Sequence, residues 1–160
     1  MALTYEKIES QTLSTNESSV TFNVIPDTYT DLVLIGRGST TTSGGNVAMR
    51  FNGDTGSNYS RTRLLGDGSA SSTERQTSST SVAVGDWSTG NSMIRVNIQS
   101  YANPNVYKTV ISRSDEVSFV LSAFVGLWRS TAAITSLVFF KPGGNLTSGS
   151  TFTLYGIKAA

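Results

Sequence analysis

Residues 117–157 read VSFVLSAFVGLWRSTAAITSLVFFKPGGNLTSGSTFTLYGI, the most apolar and aromatic stretch of the chain. It contains three runs rich in Val, Ile, Phe, Tyr and Thr that are separated by turn-forming residues: 118–128, 134–141 and 151–157. Short runs of this composition between turn residues are typical of β-strands. In the last run, Phe152 and Leu154 alternate with Thr151 and Thr153. This alternation predicts a strand with one face packed against a core.

The same pattern extends toward the N-terminus. It predicts strands at residues 20–24, 31–38, 47–51, 59–65, from 82 onward, 93–101 and 107–112. Residues 5–13 alternate imperfectly and are predicted to form either a first strand or a short arm. Residues 39–46 are a Ser/Thr/Gly loop, and residues 66–80 contain no apolar residue larger than alanine. We therefore expect 66–80 to be a mobile surface loop.

About nine short strands, with no long helix and no repeat of 20–50 residues, indicate an all-β fold. We predict a single domain over residues 1–160, built as an antiparallel two-sheet β-sandwich, with residues 1–13 as arm or first strand. A jelly-roll topology is the preferred version, because the chain length suits an eight-stranded double Greek key with long loops. An immunoglobulin-like sandwich remains the alternative, although it is usually shorter.

Composition excludes several kinds of chemistry. The chain has no histidine and no cysteine, so it holds no Ser-His-Asp triad, cysteine nucleophile, ordinary zinc site or disulfide.

The first seven residues lack the pattern of a signal peptide, and residues 117–128 are too short an apolar run to cross a bilayer. The expectation is a protein made in a cytoplasm and not inserted in a membrane.

No motif predicts a cofactor or metal site. The Gly36-Arg37-Gly38 sequence lacks the later glycine and the βαβ context of a dinucleotide site, so both glycines are interpreted as turn residues. The segment 52–56, NGDTG, faintly resembles a calcium loop, but Arg63 stands where the bidentate glutamate belongs. A structural turn at 52–54 is therefore predicted, because Asn and Gly tolerate positive φ.

The carboxylates show no spacing that singles out a catalytic pair of the glycosidase type. Those weighed for it are Glu6, Glu9, Glu17, Asp54, Asp67, Glu74, Asp86, Asp115 and Glu116. Solvated surface is the expected role for most of them. The prediction from the residues is that the chain is not an enzyme and has no catalytic residue.

Charge and aromatic residues suggest two binding hypotheses. Residues 1–36 carry one lysine against five carboxylates, whereas residues 37–113 carry eight Lys/Arg against four Asp/Glu. Complementary patches on neighbouring subunits are one use of this asymmetry. The arginines do not cluster with aromatics, so nucleic acid is not an expected partner. Trp87, Tyr101 and Tyr59 could stack on sugars if exposed, but packing in the core or in a turn is the favoured role for each.

Four segments together carry a resemblance that covers nearly the whole chain. They are RFNGDTGSNYSRTRLLGDG at 50–68, YKTVISRS at 107–114, VGLWRSTAAITSL at 125–137 and GNLTSGSTFTLYGIK at 144–158. In this order they resemble a family of small virion proteins from phages of aquatic bacteria, including cyanophages. None of the segments is catalytic in type, so the resemblance implies no site residue.

The resemblance implies a β-sandwich structural component of the phage particle, located in the virion. One placement is a head decoration or cement protein, a homotrimer whose partner is the major capsid protein. The other is a tail-fibre or adhesin domain that presents loops to a host-surface glycan. Decoration is the preferred expectation, because the chain has no coiled-coil or fibrous repeat to join it to a tail.

Overall fold

The computed structural model of the protein describes residues 4–116 and 120–158, which form β-strands and no helix. In chain order the strands are β1 Tyr5–Thr12, β2 Ser19–Phe22, β3 Asp31–Gly38, β4 Asn46–Phe51, β5 Tyr59–Gly66, β6 Ser71–Ser79, β7 Val82–Asp86, β8 Ser92–Gln99, β9 Lys108–Glu116, β10 Val120–Trp128, β11 Leu137–Phe140 and β12 Thr151–Ile157. Every pairing between these strands is antiparallel.

The strands form one large and one small sheet. The eight-stranded sheet has the order β1-β12-β3-β8-β9-β10-β5-β6, and the four-stranded sheet has the order β2-β11-β4-β7. The predicted fold class, an all-β antiparallel two-sheet sandwich, is confirmed. This strand order does not confirm the jelly-roll topology, and the immunoglobulin-like alternative is not confirmed either.

The core lies between the two sheets. In β8, Ile94, Val96 and Ile98 are buried and alternate with more exposed neighbours, as expected for a strand that packs on one face. They belong to the same buried cluster as Met49 of β4 and Phe139 of β11. Apolar side chains from both sheets therefore share one interior, which is the arrangement of a sandwich.

Several predicted strands are found with shifted ends. Residues 5–12 form β1, a strand at the edge of the large sheet that pairs with β12, with a register shift between Lys7 and Glu9. The predicted strand 134–141 is shorter, Leu137–Phe140, whereas the strand predicted at 107–112 extends as Lys108–Glu116. Residues 118 and 119 of the predicted strand 118–128 lie outside the described part of the chain.

The prediction of a mobile loop over residues 66–80 is wrong. Ser71–Ser79 forms β6, the other edge strand of the large sheet, which pairs with β5 from Gly66 to Tyr59. Nearly all of its residues are exposed, so it needs no apolar side chain, and its backbone bonds with β5 hold it in place. A search for apolar alternation cannot detect a strand of this kind.

The interpretation of Gly36 and Gly38 as turn residues is also wrong, because both lie inside β3. A Cβ atom on Gly38 would come within 2.1 Å of the Ser150 hydroxyl oxygen. A Cβ atom on Gly36 would come within 3.0 Å of Ile94. These glycines are needed because neighbouring side chains approach the strand closely, and not because the chain turns.

The turn at residues 52–54 is confirmed. Its side chains form hydrogen bonds with residues of segment 125–137, so two of the segments that carry the resemblance are in contact. Asn52 and Gly53 both have positive φ, 51° and 67°. The Asn52 side-chain oxygen accepts from the backbone amides of Thr135 (2.9 Å) and Ser136 (3.2 Å). An Asp54 carboxylate oxygen accepts from Trp128 Nε1 at 2.7 Å, and this bond is the main cause that lowers the pKa of Asp54. Segments 50–68 and 125–137 are thus tied together by structural hydrogen bonds.

Candidate functional site

The three aromatics considered for sugar stacking are all core residues. Trp87, Tyr59 and Tyr101 have no exposed surface. The Trp87 ring stacks on Phe152 with centroids 5.8 Å apart, and Tyr59 stacks on Trp128 at 6.3 Å. Burial raises the pKa of Tyr59 to about 12. The favoured packing role is confirmed, and none of the three can meet a ligand on the surface.

A polar groove of about 750 Å³ lies beside the loop at 39–46, where this loop faces the end of β6. We define this polar groove by its lining residues, which share hydroxyl, amide or small side chains on both walls: residues 42–46, Ala48, Arg61, residues 76–81, Ala83, Lys141 and Pro142. Both of the Ser/Thr/Gly-rich segments recognised in the sequence contribute to it. Nothing in the sequence indicated that they meet.

Arg61 lies against this groove and is the centre of a charged cluster. Its side chain is 5% exposed, and its Nη2 donates to Glu74 at 3.0 Å and to Asn46 at 3.3 Å. Its Nε and Nη1 are buried and have no hydrogen-bond partner among the described residues. The guanidinium carbon lies 5.6 Å from the centroid of the Phe124 ring. Arg61 is therefore held in position with two of its three guanidinium nitrogens, Nε and Nη1, unused.

Two carboxylates, Glu74 and Asp86, meet at the neighbouring Arg63. Arg63 lies 2.8 Å from Asp86 through Nη2 and 3.6 Å from Glu74 through Nη1. Arg61 and Arg63 share one face of β5, as their spacing of two residues predicted. No sequence spacing had singled out this carboxylate pair. Within residues 4–116 and 120–158, no three Asp or Glu side chains are grouped closely enough to hold a metal ion.

The Glu74 ion pairs make the attachment of β6 dependent on pH. The hydrogen bond from Arg61 is the main cause that lowers the pKa of Glu74 below 4.5. A carboxylate with a depressed pKa stabilises the fold above its ordinary pKa, and this contribution is lost as the pH falls through the lower folded-state value. Because the Glu74 side chain is 53% exposed, the contribution is about 1 kcal/mol or less.

We expect Glu74→Gln to lower the melting temperature at pH 7, by at most about 2–4 °C, and to lower it less at pH 3, where more of Glu74 is protonated. Thermal unfolding followed by circular dichroism at both pH values measures this difference. Glu9→Gln is the matched control, because the exposed Glu9 forms no ion pair among the described residues. A Glu74→Gln deficit that is the same at pH 3 and pH 7 would contradict the ion-pair explanation.

A second candidate surface is the face of the large sheet that points away from the core, which we call the outer face. It carries five exposed aliphatic side chains: Leu64 of β5, Met93 of β8, Ile111 of β9, and Leu121 and Val125 of β10. Val125 lies opposite Ile111, and Leu64, Met93 and Leu121 line one depression. We name these five residues the apolar patch. Leu121 is 70% exposed, and Leu64 and Met93 are more than half exposed. Exposed apolar groups clustered in this way mark interaction sites more often than chance exposure does.

Arginines lie within this same face. Arg95 of β8 and Arg113 of β9 are directly opposite each other across the two strands. Like charges in such a pair destabilise a sheet. Neither arginine has an ion-pair partner among the described residues, and neither has Arg37, whose strand neighbour is Met93. Arg95 and Arg113 line a depression of about 900 Å³ together with Leu64, Met93 and Leu121 of the apolar patch, and the depression also includes Asp115. The local excess of positive charge favours an acidic partner.

Comparison with known proteins yields distant likenesses. No protein-family model and no curated protein matches the chain. Among solved structures, it is similar to a mutant of alginate lyase Aly36B in complex with an alginate tetrasaccharide, with 8% identity, a TM-score of 0.31, and coverage of 94% of this chain and 80% of the lyase. It is also similar to a protein of unknown function from Shewanella oneidensis MR-1, with 7% identity, a TM-score of 0.28, and coverage of 98% and 77%.

The prediction that the chain is not an enzyme is corrected by the first of these likenesses. One of the similar solved structures is an enzyme, an alginate lyase, and we withdraw the prediction. At 8% identity and a TM-score of 0.31, the likeness transfers no reaction, substrate or residue to this chain.

The described residues include no helix with the length and apolar character needed to cross a membrane.

Proposed function

We propose that this protein is a phage virion component that decorates the head as a homotrimer and binds the major capsid protein through its outer face. The observation that carries the proposal is the apolar patch, which lies uncovered among arginines that lack ion-pair partners in the described chain. The resemblance of segments 50–68, 107–114, 125–137 and 144–158 to small virion proteins supports the same placement.

The chemistry of the outer face favours the capsid subunit over a second copy of this chain as its occupant. Two copies meeting face to face would bring Arg37, Arg95 and Arg113 against the same arginines, with Asp115 as the main counter-charge. Like charges brought together at an interface are costly. A partner surface that is apolar at its centre and acidic at its rim satisfies both the patch and the arginines. We therefore assign the trimer contacts to another surface.

Binding to an assembled lattice would stabilise the particle by mass action. A protein that binds the assembled head and not the dissociated subunits lowers the free energy of the assembled state. Trimers also match the local threefold symmetry of an icosahedral shell. The number of copies of this protein per particle distinguishes a position on the head from one on the tail. A number close to that of the capsid subunit would support decoration of the head. A number of only a few per particle would reject it.

We expect Leu121→Glu to reduce binding to undecorated heads at least tenfold. The substitution places a buried negative charge at the centre of an apolar contact, which costs more than about 1.4 kcal/mol of binding free energy. Cosedimentation of the purified variant with undecorated heads measures the loss. Because Leu121 is largely exposed in the free protein, the fold itself should tolerate the change.

Val24→Glu is the matched control for this experiment. Val24 is 81% exposed and follows β2, away from the apolar patch, so this variant should bind heads as the unaltered protein does. Equal binding by both variants would reject the outer face as the docking surface. Absence of binding by the unaltered protein would reject decoration altogether.

A second candidate function is that of a tail-fibre or adhesin domain that binds a host-surface glycan. The polar groove favours it, because hydroxyl and amide side chains from two separate segments line one concave surface. Such groups are suited to hydrogen bonds with sugar hydroxyls. Binding of the purified protein to host cells or to their isolated polysaccharide tests this candidate function. If the protein binds neither, the adhesin function is rejected.

A further inference from the structure

We propose that the polar groove binds an acidic saccharide, one whose sugar units carry a carboxylate or a sulfate, with Arg61 facing the anionic group. The inference rests on the second candidate function and names the class of glycan. It is independent of the outer face, since the apolar patch and the polar groove have no lining residue in common.

The composition of the groove walls favours a hydroxylated ligand. Each wall presents short polar side chains: Thr42, Ser43 and Asn46 from the first segment, and Gln76 with residues 77–81 from the second. Gly44 and Gly45 add no side chain, so the backbone is accessible there. No aromatic residue lines the groove. A ligand would therefore be held by hydrogen bonds to its hydroxyl groups and not by stacking.

The charge of the groove favours an anion. Its lining includes two basic residues, Arg61 and Lys141, and no carboxylate. The Lys141 ammonium donates a hydrogen bond to the Gly44 carbonyl, which fixes it against the first wall. Glu74, which is bound to Arg61, and Asp86, which is bound to Asn46 and Arg63, do not line the groove. A carboxylate or sulfate in the groove thus meets cations without a facing carboxylate.

The unused donors of Arg61 provide the second reason. A buried donor without a partner destabilises the folded protein, and a ligand that supplies an acceptor removes that cost. Arg61 has two, Nε and Nη1, on a guanidinium whose geometry suits a planar carboxylate or a sulfate. The Glu74 carboxylate is bound to Nη2, which leaves Nε and Nη1 for an incoming anion.

The test compares three polymers with three protein variants. Polygalacturonate carries carboxylates, dextran sulfate carries sulfates, and dextran is neutral; binding of each is measured by titration calorimetry at fixed ionic strength. Thr77→Glu places a negative charge on an exposed residue of the groove wall, and Thr28→Glu makes the same change at an exposed residue outside the groove. Arg61→Gln removes the cation, and circular dichroism checks that this variant is folded.

We expect at least one acidic polymer to bind tenfold or more tightly than dextran. Thr77→Glu should weaken that binding at least tenfold, and Thr28→Glu should leave it unchanged. Whether polygalacturonate or dextran sulfate binds better identifies the anionic group. If Arg61→Gln is folded it should also lose binding, and if it is not, Thr77→Glu decides alone. Equal losses for Thr77→Glu and Thr28→Glu overturn the groove assignment.

The acidic class of the saccharide and the binding of glycan by this protein can be rejected by different results. Binding of dextran as tight as that of the acidic polymers, and sensitive to Thr77→Glu, overturns the acidic class and leaves glycan binding in the groove intact. Absence of binding to all three polymers and to host cells overturns both. In neither case is the binding of heads through the outer face affected.

Discussion

Replacing Trp87 with alanine is expected to destabilise the protein by about 3–5 kcal/mol, the usual range for removing a buried aromatic side chain. Trp87 has no exposed surface and packs between Phe152 of β12 and Phe139 of β11, with ring centroids 5.8 and 5.6 Å away. It therefore joins the large sheet to the small one. Such a loss is a large part of the roughly 5–15 kcal/mol by which most domains are stable. Denaturant unfolding at equilibrium measures it.

Trp87→Phe is the matched control. The indole Nε1 of Trp87 has no hydrogen-bond partner among the described residues, so phenylalanine keeps most ring contacts and removes an unsatisfied donor. We expect a loss of about 1 kcal/mol or less for this variant. A loss below about 1 kcal/mol for Trp87→Ala would contradict the core role and reopen a role for this residue in ligand binding.

Lys108→Met should also be strongly destabilising, by about 3 kcal/mol or more, although it replaces a charged residue with an apolar one of similar length. Lys108 is completely buried, and its Nζ donates to the backbone carbonyls of Asn103, Val106 (2.9 Å) and Thr131 (3.1 Å). Removing the ammonium leaves three carbonyls without this donor, at about 1–3 kcal/mol for each one that stays unsatisfied. Thermal unfolding should show a melting temperature lower by roughly 6–12 °C.

The exposed Lys7 provides the control for this substitution. Lys7→Met removes the same charge from the surface of β1 and should change stability by less than about 0.5 kcal/mol. If both lysine variants unfold at the same temperature, the carbonyl contacts of Lys108 do not contribute to stability. Burial lowers the pKa of Lys108. The three carbonyls hold its ammonium in the interior, and it has no ion-pair partner within residues 4–116 and 120–158.

The strands with one apolar face could be predicted, and those without one could not. In β12, Phe152 and Leu154 alternate with threonines, and the predicted bounds 151–157 are the observed ones. In β6 both faces are exposed, so the burial signal is absent and the composition of the segment predicts a loop. The glycines of β3 were misinterpreted for a related reason. Glycine marks a turn or a close approach equally well, and only the packing of Ser150 against Gly38 distinguishes the two.

For the candidate sites, the segments that contribute residues could be recognised in the sequence, but their arrangement in space could not. The segments 39–46 and 66–80 stood out by their Ser, Thr and Gly content, and the structure places the ends of both in one groove. The apolar patch was not predicted. Leu64, Met93 and Leu121 lie in strands predicted from their apolar content, but which apolar residues face outward depends on where the second sheet lies.

Local alternation and composition alone were enough to establish an all-β chain, its main strands, the positive-φ turn at Asn52 and Gly53, and the absence of histidine and cysteine chemistry. These properties depend on residue type and on neighbours along the chain. The pairing of β1 with β12, the burial of Lys108, the unused donors of Arg61 and the uncovered patch at Leu121 were set only when distant segments packed together. Such contacts join residues far apart in sequence, and no local pattern records which partner a side chain will meet.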